Sequence, residues 1–264
     1  MKRLNLFEFE DHPAFPSWLR DAMTRYIQTF HRVMKTPPAV ADLATRALAF
    51  ASEKRVIDLC SGAGGPMLDV IGVLRSRAGL ADVELCLSDL YPNQAAADHV
   101  AALGDPRIRY ERESVDATQV GSRRGVRTLI GSFHHLPIDA ARSVLLDAAR
   151  ARQPLLVFEL SDNSAPIVLW WAAIPVAFLM VALLTPLIRP LSLRQLALTY
   201  VIPLIPLFAA WDGAASNART YTPDDVRELL AGHDTPGYRF EIGSHRVGRL
   251  PGKCSYVLGF PVGS

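Results

Sequence analysis

Val56-Ile57-Asp58-Leu59-Cys60-Ser61-Gly62-Ala63-Gly64-Gly65 decides how this chain is read. A short apolar run from Arg55 to Leu59 has the length of a buried strand, and it carries an acidic residue just before a glycine-rich turn. Glycine has no Cβ, so the turn can take unusual dihedrals and let a ligand approach the backbone closely. A helix is expected over 66–77. Pro66 suits its first turn, where the missing N–H would have had no partner. The amide end of that helix favours negative charge, so strand, turn and helix together make a site for a nucleotide-like ligand bearing a carboxylate or phosphate.

Outward from this segment the pattern alternates. Strands are expected at 83–87, 108–111, 128–132 and 155–159, and helices at 93–103 and 139–151. Alternating elements of these lengths predict an α/β fold, a doubly wound, Rossmann-like sheet that is parallel through this half. Toward the C-terminus a helix at 223–231 precedes strands near 238–247 and 254–260, close enough to pair antiparallel. Thr222 is placed to cap that helix, with Pro223 in its first turn. Before the glycine turn, Trp18, Leu19, Ala22, Met23, Tyr26, Ile27 and Phe30 recur at helical spacing within 13–34. Pro37-Pro38 is expected to break the chain ahead of a second helix at 39–52. Residues 1–52 are accordingly expected to form a helical lid, and 53–264 the main domain.

The composition narrows the partners. A formal net charge of +2, with no Lys/Arg-rich tract, argues against nucleic acid. Three cysteines, Cys60, Cys86 and Cys254, lie far apart, with no CxxC pair and no histidine at zinc spacing. Neither a disulfide framework nor a metal is expected, and a cytosol-facing setting is the simplest. Glu8, Glu10 and Asp11 interrupt any signal-peptide core after Met1-Lys2-Arg3.

Asp58-Leu59-Cys60-Ser61-Gly62-Ala63-Gly64 resembles the first motif of class I S-adenosylmethionine-dependent methyltransferases, acidic-x-Gly-x-Gly-x-Gly, with Cys60 where the family's first glycine stands. The resemblance runs over about 55–162. It implies S-adenosylmethionine as cofactor, held by Asp58, Ser61, Gly62 and Gly64. Ser88-Asp89-Leu90 matches the segment whose acid meets the ribose hydroxyls, and Ser114-Val115-Asp116-Ala117 the one near the adenine amino group. Ile130-Gly131-Ser132-Phe133-His134-His135-Leu136 matches the segment beside the methyl donor, bringing in Ser132 and Phe133. A nicotinamide oxidoreductase would need Gly-x-Gly-x-x-Gly, which the spacing here does not supply.

Methyl transfer from a sulfonium is an in-line displacement, so alignment in a dry pocket can supply much of the acceleration. A hydroxyl acceptor also benefits from a base. His134 and His135, at the end of the expected fourth strand, are the candidates, with His135 preferred; on an extended stretch they would point opposite ways. Glu159, Trp211, Arg219 and Tyr221 are the candidate acceptor-binding residues. Arg219 could fork onto a carboxylate, and the aromatic pair could stack on an apolar substrate.

One stretch breaks the alternation. Residues 165–188 carry no charge, and after Arg189 and Arg194 a second apolar run covers 195–211. The first run is long enough for a bilayer core. Prolines at 166, 175, 186, 190, 203 and 206 favour broken, shallow helices, and a spanning hairpin would put both arginines on the far side. The insertion at 165–211, between strands five and six, is therefore expected to seat monotopically or re-entrantly on the cytoplasmic face of a membrane. The expected activity is O-methylation of a lipophilic phenol, quinol-like compound or carboxylic acid. N-methylation of a lipid headgroup amine and cofactor binding without turnover are the alternatives.

Overall fold

The computed structural model describes residues 1–263. After a short turn of helix at Phe9–Asp11 come α1 (Ser17–Met34), α2 (Thr36–Leu48), β1 (Arg55–Asp58), α3 (Met67–Arg75), β2 (Glu84–Leu87), α4 (Gln94–Ala102) and β3 (Ile108–Tyr110). The chain continues through β4 (Val126–Ile130), α5 (Ile138–Arg150), β5 (Leu155–Glu159), α6 (Ile167–Leu184), α7 (Leu193–Leu196), α8 (Leu204–Arg219), α9 (Pro223–Leu230), β6 (Tyr238–Arg246) and β7 (Lys253–Pro261). The strands form one sheet in the order β3-β2-β1-β4-β5-β7-β6. The first five are parallel, and β7 enters antiparallel between β5 and β6. Chain order reverses between β1 and β4, and in open α/β sheets that switch point is where ligands bind.

Period-two alternation divides the core between the two faces of the sheet. Val56, Leu85, Leu87, Leu156 and Phe158 pack with α2, α3 and α4 on one face. Ile57, Leu129, Leu155 and Val157 pack with α5 and α9 on the other. The second helix belongs to this sandwich: Val40, Ala41, Ala44 and Ala47 lie fully buried against the sheet layer. Pro37 and Pro38 do not break the chain ahead of it. They occupy its first turn, where proline costs no hydrogen bond, and the break falls at Lys35, whose φ is 57°.

A third cluster lies apart from the sheet. Leu19, Met23 and Tyr26 of α1 meet Val181 and Leu184 of α6 and Ile205 of α8. The insertion thus packs on α1, and only the C-terminal half of α6 is covered. Val168, Val176, Leu179 and Leu183 remain exposed. The second apolar run is broken as its prolines require: residues 193–201 and 204–219 meet at 74°.

The fourth strand runs Val126–Ile130, two residues ahead of the expected span. Its register explains the offset, because Arg127 points into the protein and looks, in sequence, like the end of a loop. Ser132 therefore lies beyond the strand, and Phe133–His135 form a tight helical turn. The two histidines consequently do not point opposite ways. Their rings lie side by side, with centroids 4.2 Å apart and a tilt of 34°.

Candidate active site

The glycine turn is organised by two acids. Asp58, at the end of β1, is buried, and its two carboxylate oxygens accept from Ser61 Oγ at 2.7 Å and Thr128 Oγ1 at 2.6 Å. Burial raises its pKa to about 7, against the pull of those two hydroxyls. Asp89, just past β2, accepts from Gly62 N at 2.8 Å through Oδ2 and from Tyr91 N at 2.8 Å through Oδ1. Ser61 and Ser88 exchange backbone and hydroxyl bonds between these acids: Ser61 N donates to Ser88 O at 3.0 Å, and Ser88 N to Ser61 Oγ at 3.1 Å.

At Cys60 the backbone φ is 56°, a left-handed conformation that glycine adopts without strain. The turn therefore demands the geometry of the family's glycine, and a cysteine supplies it. Burial and the carboxylates of Asp89, Asp58 and Asp116 push its thiol up to about 12, so it is held as an unreactive thiol. Gly62 has a φ of 53°, and a Cβ built there would meet nothing within 4 Å. Its outer side is open space above the turn. Gly64, with a φ of 95°, sits closer in, where a Cβ would touch Leu87 at 3.6 Å.

Beyond this core, Val115 N bonds to Asp89 O at 2.9 Å, bringing the 114–117 loop to the same edge. Asp116 is exposed there and folds back on Thr118 N and Oγ1 at 2.8 and 2.7 Å. Leu90 is exposed beside it, and Ala117 is buried beneath. Tyr110, Thr128 and Ser88 were missed in the sequence. Tyr110 donates to Gly62 O at 2.7 Å, which bridges β3 to the glycine turn. Their common signal is position, since each stands at or near the carboxyl end of a parallel strand.

The second half of the site gathers around His134 and His135. Glu159 at the end of β5 is buried and accepts from His134 N at 3.0 Å and His134 Nδ1 at 2.8 Å. His135 Nδ1 pairs with Asp11 at 2.9 Å. Each ring thus gives Nδ1 to a carboxylate and keeps Nε2 for something else. Both Nε2 atoms face Glu8 of the N-terminal segment, at 3.7 Å for His134 and 3.8 Å for His135. Glu8 is buried, and desolvation pushes its carboxyl up to about 7. Asp11 is held below the usual carboxylate range by hydrogen bonds and charge from His135 and Arg219, which outweigh its own desolvation. Ser132 and Phe133 are buried just before the histidines, the serine hydroxyl without a hydrogen-bond partner.

The remaining acceptor-side residues are already engaged. Arg219 sits 3.1 Å from Glu8 and 2.5 Å from Asp11, and donates to His135 O at 3.3 Å, so its fork is spent on the N-terminal segment. Tyr221 is buried, donates to Leu136 O at 2.8 Å and lies 5.3 Å from the Phe133 ring, with the Arg3 guanidinium 4.3 Å above it. Trp211 donates to Phe7 O at 3.1 Å and meets Trp171 edge-on at 5.4 Å, joining that segment to the insertion. Asp212 completes the anchorage by accepting from Phe9 N at 2.8 Å and Glu10 N at 3.2 Å. Residues 1–11 therefore close over the site. Their role was illegible beforehand because His134, His135, Asp212 and Arg219, their partners at the site, lie more than a hundred positions away.

No family model matches the chain, and no curated protein matches it. Solved structures do. An O-methyltransferase family protein from Burkholderia thailandensis superposes with a TM-score of 0.54 at 18% identity, over 98% of this chain and 64% of that one. The mitomycin 7-O-methyltransferase MmcR superposes with a TM-score of 0.50 at 15% identity, over 87% of this chain and 54% of that one. The chain thus spans less than two thirds of either protein's length. At these identities the likeness to these two methyltransferases is one of fold alone.

Proposed function

We propose that this protein transfers the methyl group of S-adenosylmethionine to an oxygen of a lipophilic small molecule, a phenol, quinol-like compound or carboxylic acid, at the cytoplasmic surface of a membrane. The observation that carries this is the joining of Gly62 to Asp89 across the carboxyl ends of β1 and β2, beside the topological switch point, with open space left above the glycine. A nucleoside bearing a charged amino-acid tail fits that chemistry: Asp89 and Asp116 are acids for hydroxyl and amino donors, and the start of α3 favours a carboxylate.

Bound there, the cofactor supplies an electrophilic methyl on a sulfonium. The chain supplies alignment, dryness and a base. The segment 1–11, pinned by Asp212 and Arg219, excludes water over the histidines. Glu159 and Asp11 hold the two Nδ1 protons, which leaves each Nε2 lone pair as acceptor for a hydroxyl proton. His135, the more exposed of the two, is the preferred base. With the methyl donor bound, His135 Nε2 would take the hydroxyl proton as the acceptor oxygen is methylated. A carboxylate acceptor needs no base at all.

The membrane setting rests on the insertion. The span 167–187 has a mean hydropathy of 2.5, yet only 11% of its apolar stretch is buried. A helix apolar on all sides but covered on one leaves the rest for lipid. The broken pair around Pro203 suits a shallow or re-entrant seat better than a straight crossing.

The test is transfer of labelled methyl from S-adenosylmethionine to a panel of phenols, fatty acids and lipid amines presented in vesicles. Label in phenols or fatty acids is expected. His135→Gln, which removes the preferred base, should lower kcat toward a phenol roughly 100-fold with unchanged affinity for S-adenosylhomocysteine. Label in headgroup amines would instead make the acceptor a nitrogen. Bound cofactor with no label in any compound would overturn the enzyme.

A further inference from the structure

Glu8 is a buried group with no accounted purpose. Its side chain is 0% exposed, and among the described residues neither carboxylate oxygen finds a hydrogen-bond partner. A carboxylate held this deep without a hydrogen bond is costly, so the position is sustained by something that compensates it. Arg219 approaches one oxygen at 3.1 Å, but its hydrogen bonds go to Asp11 and His135 O. Facing Glu8 is a second orphan, His134 Nε2, also buried without a partner. His135 Nε2 completes the group, and the three ligating atoms all lie within 4.8 Å of one another.

We infer that Glu8, His134 and His135 form a site for one transition-metal dication of the zinc type, bound through a carboxylate oxygen and two imidazole Nε2 atoms, with a fourth position open. Two imidazoles and a carboxylate are a donor set for zinc or a neighbouring first-row ion; magnesium and calcium prefer oxygen ligands throughout. In a tetrahedral zinc site with bonds of about 2.0–2.1 Å, neighbouring ligand atoms lie about 3.3 Å apart. Glu8 Oε1 stands 3.7 Å from His134 Nε2 and Oε2 3.8 Å from His135 Nε2, and with all three ligand atoms within 4.8 Å of one another the side chains would draw together around an ion.

The outer contacts match as well. Metal-binding histidines give their other ring nitrogen to a carboxylate or carbonyl, which fixes the tautomer. Here both do so, His134 to Glu159 at 2.8 Å and His135 to Asp11 at 2.9 Å. The charges around the cluster are the carboxylates of Glu8, Asp11 and Glu159 against the guanidinium of Arg219 and that of Arg3, which reaches His134 O at 3.0 Å, a balance still negative enough to accept a dication. His135 is 28% exposed, which gives an ion a way in. Bound there, the ion staples residues 1–11 to the end of β4. It also takes the Nε2 lone pairs that the methyl-transfer reading uses as base, offering an acceptor oxygen a Lewis acid at the open position instead. The site itself does not depend on that reading.

The full-length protein, stripped with chelator, is titrated with Zn2+ by calorimetry and with Co2+ by visible absorption. One ion per chain is expected, with a higher Tm and slower proteolysis of the N-terminal segment when Zn2+ is present. Glu8→Gln, which removes a buried charge and so should fold, and His134→Gln should each weaken binding at least 10-fold and lose the Tm rise. His233→Gln, at an exposed position, should change neither. Absence of binding, or equal binding by wild type, Glu8→Gln and His134→Gln, would overturn the site. Binding of S-adenosylhomocysteine to the metal-free protein is measured alongside; if it persists while Zn2+ fails to bind, only the metal site falls.

Discussion

Gly62 donates its backbone N–H to Asp89 Oδ2 over 2.8 Å, so the turn after β1 and the acid after β2 are one unit. The other Asp89 oxygen accepts from Tyr91 N, which fixes the carboxylate's orientation from below. Hydrogen bonds to an ionised acceptor are worth about 1.5–3 kcal/mol. Asp89→Ala should therefore weaken S-adenosylhomocysteine binding roughly 10- to 100-fold by calorimetry, and Asp89→Asn, which keeps one acceptor oxygen, by less. Unchanged affinity in the alanine variant would dissociate this edge of the sheet from the cofactor.

Asp58 gives stability a pH dependence of definite sign. Burial raises its folded-state pKa from 3.8 to about 7, so between these values the folded chain holds a proton that the unfolded chain has released. Its stabilising contribution is thus complete below about pH 4 and is lost as pH rises through about 7, at up to about 1.4 kcal/mol per pH unit inside that window. Asp58→Asn cannot titrate. Urea midpoints measured from pH 5 to 8 should fall less steeply in the variant than in wild type, with the variant gaining on wild type as pH rises. Parallel curves would show that Asp58 is ionised throughout.

The parallel half of the sheet was legible because strands buried on both faces read as short apolar runs, and Val56–Ile57, Leu85–Leu87 and Leu155–Phe158 do so plainly. The edge carrying the glycine turn was legible for a related reason, since acids at strand ends recur in chain order. The acceptor side was not. Its geometry depends on Glu8 and Asp11, which in sequence are merely an acidic stretch, and on a tight turn at Phe133–His135 that turns both rings the same way. Arg219 reads as a free fork until the structure shows two carboxylates already upon it. The fourth strand slipped by two residues because Arg127, a charged side chain, is an interior residue.

Arg127 is 1% exposed and donates from Nη1 to Asp147 Oδ2 on α5 at 2.7 Å, while Nε and Nη2 have no partner. Burial holds its guanidinium pKa below the ordinary value, with Asp147 opposing that shift. Removing one partner of a buried pair strands the other's charge, which costs about 3–5 kcal/mol. Asp147 also accepts from Val120 N at 3.2 Å, so the loop before β4 loses an anchor too. Asp147→Ala should lower unfolding stability by about that amount in urea. Arg127→Met, replacing the charge with an apolar chain of similar length, should cost much less. Equal losses in the two variants would mean that packing volume, and not the stranded charge, sets the penalty.

The exposed surface of the insertion includes a stripe along α6. Val168, Val176, Leu179, Leu183 and Leu187 follow one another along α6 and the turn after it, largely at helical spacing, and Val176 and Leu183 are 62% and 72% exposed. Leu193, Val201 and Ile202 add a second apolar corner, and Arg194, stacked 4.0 Å over Trp18, stands beside it where a lipid phosphate could pair. Burying one leucine side chain in hydrocarbon contributes about 1.5–3 kcal/mol, so Leu179→Glu with Leu183→Glu should lower partitioning into vesicles by at least about 100-fold. Neither residue belongs to the covered cluster between α1, α6 and α8, so the fold should survive, which a far-ultraviolet spectrum checks. Flotation with anionic vesicles measures the partitioning, and sedimentation in detergent-free buffer provides the opposing outcome. If the wild type stays soluble at high salt as a dimer that the same pair of glutamates splits, the stripe joins two chains and the membrane setting fails.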